Sequence, residues 1–255
     1  RLAALKALGA LAGAAEFPGL LKALAGADEE MELDAAEQEL AAVCARMGDA
    51  EECAAKLAAG LAPAAPPQRA ALLRVLAELG GARALQAVRE ALGDADPEVK
   101  ATALQLLCEW KTPDAAPDLL RLARAAATTG ERLRGLRGCI RIAGNQDVPA
   151  PQRLDLCKEA AGLVQREEER KLLLGALGSI PLPEALDLVL PHLESTATAA
   201  EASTAALAIA EKLLAGADAA RAIPALEQVA QTAATPELAE RARALLKEAR
   251  EKAGG

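Results

Sequence analysis

Tyrosine is absent from the 255 residues, and the only aromatic side chains are Phe17 and Trp110. Without rings there is no stacking platform for nucleic-acid bases. Lys and Arg number 29 against 37 Asp and Glu, a formal charge of −8, so the basic footprint that a phosphate backbone requires is missing as well. Nucleic acid is therefore excluded as a partner. Val, Ile and Thr, which suit pleated surfaces, are scarce, and β architectures are excluded with them. No run of about 18 apolar residues occurs, so no membrane-spanning helix is expected.

Metal and redox chemistry are equally thin. His192 is the single histidine; Glu194 stands two residues on, a spacing that puts the two on different sides of a helix. HExxH and Cys/His clusters are missing, so no metal site is expected. The five cysteines, Cys44, Cys53, Cys108, Cys139 and Cys157, are odd in number and contain no CxxC. They are expected as buried thiols. Only an oxidising compartment would make Cys44/Cys53 or Cys139/Cys157 candidates for bridging.

Catalytic signatures are lacking too. Gly178-Ser179-Ile180 has no following Gly and so forms no nucleophile elbow; a Ser–His pair would have to recruit His192. GxGxxG and the P-loop are absent. Two acidic runs, Asp28-Glu29-Glu30 with Glu32 and Asp34, and Glu167-Glu168-Glu169, stand at helix entrances, where negative charge suits the helix dipole. The expectation is a non-enzyme without a cofactor or catalytic residues.

What is present is alanine and leucine, about 44% of the chain, arranged periodically. Apolar triplets at i, i+3 and i+6 recur: Leu5/Leu8/Leu11, Ala41/Cys44/Met47, Leu73/Leu76/Leu79, Leu104/Leu107/Trp110, Leu136/Cys139/Ile142, Leu174/Leu177/Ile180 and, more loosely, Leu207/Ala210/Leu213. Their last members lie 36, 32, 31, 32, 38 and 33 residues apart. Shorter helical runs lie between them, from Phe17–Leu24 through Ala82–Leu92 and Pro183–Leu193 to Ala219–Ala230. Gly-, Asp- and Pro-rich breakers such as Gly48-Asp49, Gly80-Gly81 and Gly144-Asn145 punctuate the turns. Pro97 after Asp96, and Pro236 after Thr235, mark helix starts. Each unit is a helix pair whose apolar stripe can be buried only by stacking on its neighbours.

The stretch Ala84–Trp110, ALQAVREALGDADPEVKATALQLLCEW, resembles a HEAT repeat. Its first helix ends in ALGD, its turn carries Asp-Pro, and Val99-Lys100 matches the Val-Arg pair common in HEAT second helices. Arg121–Ala143 and Leu182–Leu214 follow the same plan with weaker motifs. The resemblance implies an all-α fold, a right-handed α-solenoid of about seven stacked HEAT-like helix pairs plus a leading half repeat, in a single domain over 1–255. It looks most like the HEAT segments of large multidomain bacterial proteins. A binding or scaffolding role follows, with a concave face lined by the second helices.

The ends differ in polarity. Pro236–Lys252 is densely charged and suits a terminal cap, whereas Arg1–Ala12 offers only Arg1 and Lys6. The expectation is either more protein upstream or self-association through helix 1–12. Arg1–Ala15 also imitates a secretory signal, and the compartment, cytoplasmic or exported, stays open.

One constellation points to a partner. Arg134, Arg137 and Arg141 stand at i, i+3 and i+7, so they share a helix face, and Arg132 is nearby. Aligned across repeats, Arg137 falls in the column of Arg74 and Gln105, and Arg141 in that of Glu78 and Glu109. On a concave surface, Arg134, Arg137, Arg141 and Arg74 would grip a carboxylate- or phosphate-bearing protein or peptide. The alternative for the α-helical face is ordinary solvation, paired with Glu167 or Glu168. The leading function is a non-enzymatic interaction scaffold for a protein or peptide partner, with an acidic one the best match. The alternatives are an accessory HEAT domain of a larger multidomain enzyme and a HEAT-type bilin lyase, the latter weakened by the lack of aromatics. The unequal repeat spacing and the cysteines argue against an idealised designed repeat.

Overall fold

Alanine and leucine build the helices, and glycine and proline end them. The computed structural model describes residues 15–253, which carry fourteen α-helices and no strand. They form seven successive pairs: α1 (Phe17–Ala25) with α2 (Glu30–Met47), α3 (Ala50–Leu61) with α4 (Pro66–Leu79), α5 (Gly81–Ala91) with α6 (Pro97–Glu109), α7 (Ala116–Ala125) with α8 (Thr129–Gly144), α9 (Ala150–Ala161) with α10 (Glu167–Gly178), α11 (Glu184–Val189) with α12 (Ala199–Leu214), and α13 (Ala219–Thr232) with α14 (Pro236–Ala253). The all-α repeat expected from the triplets is what folds. The helix expected at residues 1–12, and with it the self-association surface, lies outside the described residues.

Local chemistry sets the boundaries. The Asp96 side chain accepts from the amides of Glu98 and Val99 at 3.0 and 3.1 Å, and Pro97, which needs no partner for a missing N–H, opens α6. Thr128 and Glu131 form a reciprocal capping box at the start of α8. Gly48, Gly80 and Gly81 adopt the positive φ that other residues avoid, at the ends of α2 and α4. One expectation needs correcting. Pro183–Leu193 is not one continuous helix: α11 stops at Val189 and a 3₁₀ turn, Leu190–His192, follows. Pro191, lacking an amide hydrogen, cannot extend the α-helical ladder.

The described residues group into two compact units, one ending at Trp110 and the other running from Lys111. Within the first, α2 packs on α4 and α4 on α6, while α3 packs on α5. Within the second, α8 packs on α10, α10 on α12 and α12 on α14. The second helices of consecutive pairs are thus neighbours inside each unit. The triplet residues supply the core: Leu73, Leu76, Leu107, Trp110, Leu136, Cys139, Ile142, Leu174, Leu177, Ile180, Leu207, Ala210 and Leu213 are all buried. Each large apolar side chain so buried stabilises the fold by about 1.5–3 kcal/mol.

Glycine is needed where helices approach closely. A Cβ on Gly135 would sit 2.9 Å from the Leu119 carbonyl oxygen and 3.1 Å from the Ala123 amide nitrogen, so this residue sets the contact between α7 and α8. Gly178 plays the same part between α10 and α12, where a Cβ would lie 3.0 Å from Ala205 Cα. None of the five cysteines forms a disulfide. Burial pushes the thiols of Cys44, Cys139 and Cys157 up to about 12, which leaves them protonated and inert at neutral pH. No helix among the described residues is long and apolar enough to cross a membrane.

Candidate functional site

Several basic side chains on the second helices hold consecutive pairs together. Arg74 on α4 grips Glu37 on α2 through two guanidinium nitrogens, at 2.7–3.0 Å. Arg132 on α8 meets Glu169 at 2.5 Å, Lys171 on α10 meets Glu201 at 3.1 Å, and Arg241 on α14 meets Glu211 at 2.5 Å. The Arg132–Glu169 pair is the most enclosed, with side chains 12% and 1% exposed. Arg132 also donates to the Leu163 carbonyl at 3.0 Å, and Glu169 accepts from the amides of Gln165 and Arg166. Burial alone would raise the Glu169 carboxyl. The hydrogen bonds from Arg132 and the two amides outweigh it and hold the group below the usual carboxylate range.

The sequence reading grouped four arginines, and the structure divides them. Arg74 belongs to the first unit and is tied to Glu37. Arg134, Arg137 and Arg141 all lie on α8 and are all exposed. Among the described residues Arg134 and Arg137 make no ion pair or side-chain hydrogen bond, and neither pairs with Glu167 or Glu168. Gly135 and Gly138 turn inward from the same helix and are buried, so the arginines stand on the side of α8 away from α7.

The surface of the neighbouring second helices is unusual. Counting back from the buried residues Ile142, Ile180 and Leu213, the position of Arg137 is taken by Gly175 on α10 and Ala208 on α12, and that of Arg134 by Leu172 and Ala205. Gly175 is exposed and Leu172 is 47% exposed. Between α10 and α12 opens a cleft of about 530 Å3 lined by Gly175, Gly178, Ala200, Thr204 and Ala208, with Lys171 and Lys212 among its walls. Small side chains leave this trough because the two helices meet closely at Gly178.

A second cleft, of about 370 Å3, shares Ser179 and Lys212 with the first and adds the loop Gln146–Ala150 and Arg153. Arg153 is 3% exposed. Its Nε donates to the Ala143 carbonyl at 2.8 Å and one terminal nitrogen donates to Ser179 Oγ. Ser179 Oγ in turn donates to the Ala176 carbonyl at 2.6 Å. Lys212 Nζ donates to the Gly178 carbonyl at 2.7 Å. Burial lowers the pKa of both cations, and Arg153 lowers that of Lys212 further. Sequence reasoning missed Arg153 and Lys212. Lys212 could have been found by alignment, since it shares a column with Arg141 and Ser179; nothing in Pro151-Gln152-Arg153 announces a buried arginine.

His192 sits half-buried in the 3₁₀ turn, and burial and the Arg170 charge lower its pKa. Ser179 is engaged with Arg153, not with His192. No cluster of three or more His, Cys, Asp or Glu among the described residues is placed to hold a metal.

Stacked helix pairs with inter-pair ion pairs define an all-α helical-repeat protein. More particularly, residues 54–135, the stretch from α3 into α8, match the family model for HEAT repeats. No curated protein matches the chain. Among solved structures, an engineered protein from the Northeast Structural Genomics Consortium aligns at 19% identity and TM-score 0.47, over 98% of this chain and 71% of that one. A second engineered protein from the same consortium aligns at 16% identity and TM-score 0.34, over 93% and 97%. The complex of CpcE and CpcF of phycocyanin lyase from Nostoc sp. PCC7120 aligns at 18% identity and TM-score 0.39, over 91% and 94%.

Proposed function

We propose that the chain is a non-enzymatic protein-interaction scaffold whose second helices, from α8 onward, receive an acidic protein or peptide segment. The observation that carries this reading is the contrast on one helix type. Arg74, Arg132 and Arg241 are spent on ion pairs between repeats, whereas Arg134 and Arg137 stand exposed and unpaired on α8. Long cationic side chains that do no structural work are available for forked hydrogen bonds to carboxylates. The trough between α10 and α12 offers room for the backbone of an extended segment beside them, with Leu172 as an apolar contact.

The net charge makes the test discriminating. A protein of charge −8 repels a polyanion in general, so binding of one reports a local basic face. Fluorescence anisotropy of a labelled polyglutamate peptide at low salt should show saturable binding that weakens as salt rises. The double variant Arg134→Glu, Arg137→Glu should lose that binding by tenfold or more while melting like the native chain. Equal affinity in the double variant, or no binding to the native chain, would reject the reading.

A further inference from the structure

Three charged side chains are buried among the described residues: Asp118, Arg153 and Glu169. Two of them have an ion-pair partner, Asp118 in Arg121 at 2.7 Å and Glu169 in Arg132 at 2.5 Å. Arg153 meets no carboxylate within ion-pairing distance. A buried unpaired charge is costly, and proteins place one only where something compensates it. Close by stands a second cation, Lys212. Glu211, next to it in the chain, is occupied by Arg241. Asp147 lines the same cleft and forms no ion pair with either cation.

Part of the compensation comes from helix ends. Ala143 lies in the last turn of α8 and Gly178 closes α10, so their carbonyls carry the partial negative charge of a helix C-terminus. Two such ends amount to about one elementary charge at most, against two full positive charges. Donors are left over as well. A guanidinium has about five N–H groups and an ammonium three, and the bonds to Ala143, Ser179 and Gly178 use only some of them. Ser179 Oγ is held between Arg153 and the Ala176 carbonyl and orients the guanidinium at the wall of the cleft.

We propose that the cleft bounded by the Gln146–Ala150 loop, Ser179 and Lys212 binds a phosphate group, gripped between Arg153 and Lys212. A dianion matches the two cations, where a single carboxylate would balance only one. The cleft, at about 370 Å3, has room for more than a bare ion, so both inorganic phosphate and a phosphate monoester fit the same chemistry. The site stands on Arg153 and Lys212 and does not depend on the α8 arginines.

The test is isothermal titration of the native chain and of Lys212→Gln with inorganic phosphate and, separately, phosphoserine, at ionic strength held constant with sodium chloride. Lys212 is chosen because its ammonium lies at the surface end of the cluster, and a thermal melt of the variant confirms its fold. Saturable binding in the native chain, weakened tenfold or more in Lys212→Gln, is expected. Tighter binding of phosphoserine identifies a group carried on a larger molecule, and tighter binding of inorganic phosphate identifies the free ion. No saturable binding of either probe, or equal binding in the variant, overturns the proposal. The variant Arg137→Glu should bind phosphate as the native chain does, which separates this site from the peptide-binding face.

Discussion

The two units differ at one structural position: acidic side chains appear there in the first and not in the second. Immediately before the residue that ends each triplet, the unit ending at Trp110 carries Arg46 on α2, Glu78 on α4 and Glu109 on α6, all exposed. The unit beginning at Lys111 carries Arg141 on α8, Ser179 just past the end of α10 and Lys212 on α12. The buried neighbours on the two sides of this comparison, Trp110 against Ile142 and Leu213, differ only in apolar shape. The lesson is that the buried column specifies the stacking and leaves the adjoining exposed column to be set by something other than the fold. The same division runs through the arginines: Arg74 in the first unit is spent on Glu37, and Arg137, its counterpart in the second, is not.

The largest expected effect comes from attacking a tie that one unit has and the other lacks in comparable form. Glu169→Gln leaves Arg132 without its counter-charge in an enclosed site, and it should destabilise the fold by about 3 kcal/mol. Glu37→Gln, at a partly exposed pair, should cost about 1 kcal/mol or less. Paired denaturant melts check the contrast. The sign with pH follows from the depressed Glu169 carboxyl. Its contribution is complete above the ordinary carboxylate range and is lost as pH falls through its own lower value. Glu169→Gln should therefore show a shallower loss of stability on the acid side than the native chain.

A smaller effect sharpens the comparison through backbone spacing. Gly135 on α8 aligns with Ala103 on α6, which is buried without difficulty. At Gly135 the added methyl would press on the Leu119 carbonyl oxygen at 2.9 Å. Gly135→Ala should lower stability by about 1–3 kcal/mol, although alanine is the better helix former by about 1 kcal/mol. A melt that rises instead would show that α7 and α8 can separate at little cost.

The helix pairs were readable because two local signals agree. Apolar triplets recur at a helical period, and Asp96-Pro97 or Gly80-Gly81 sits where one helix gives way to the next. The break in Pro183–Leu193 was the local miss, since Pro191 was read as part of a helix it interrupts. The α8 face was legible as a shared side, because i, i+3 and i+7 depend only on the helix itself. Which of its arginines are paired was not legible, because ion-pair partners such as Arg132 and Glu169 stand 37 residues apart and meet only when pairs stack. For the same reason Arg74 and Arg137 looked equivalent in the alignment. Arg153 was invisible in the sequence for a different cause: charged residues are ordinarily exposed, and only the tertiary fold places this one behind Ser179.

The smallest change gives the sharpest test. Arg74→Gln and Arg137→Gln remove one guanidinium each from aligned positions of the two units, and each variant is measured for both thermal stability and polyglutamate affinity. The division of labour predicts a crossed result. Arg74→Gln should lower stability by up to about 1 kcal/mol and leave affinity unchanged, and Arg137→Gln should melt like the native chain and bind the peptide more weakly. If both variants change the same property, or if Arg137→Gln alone destabilises the fold, the claim that Arg137 on α8 is free of structural duty is contradicted.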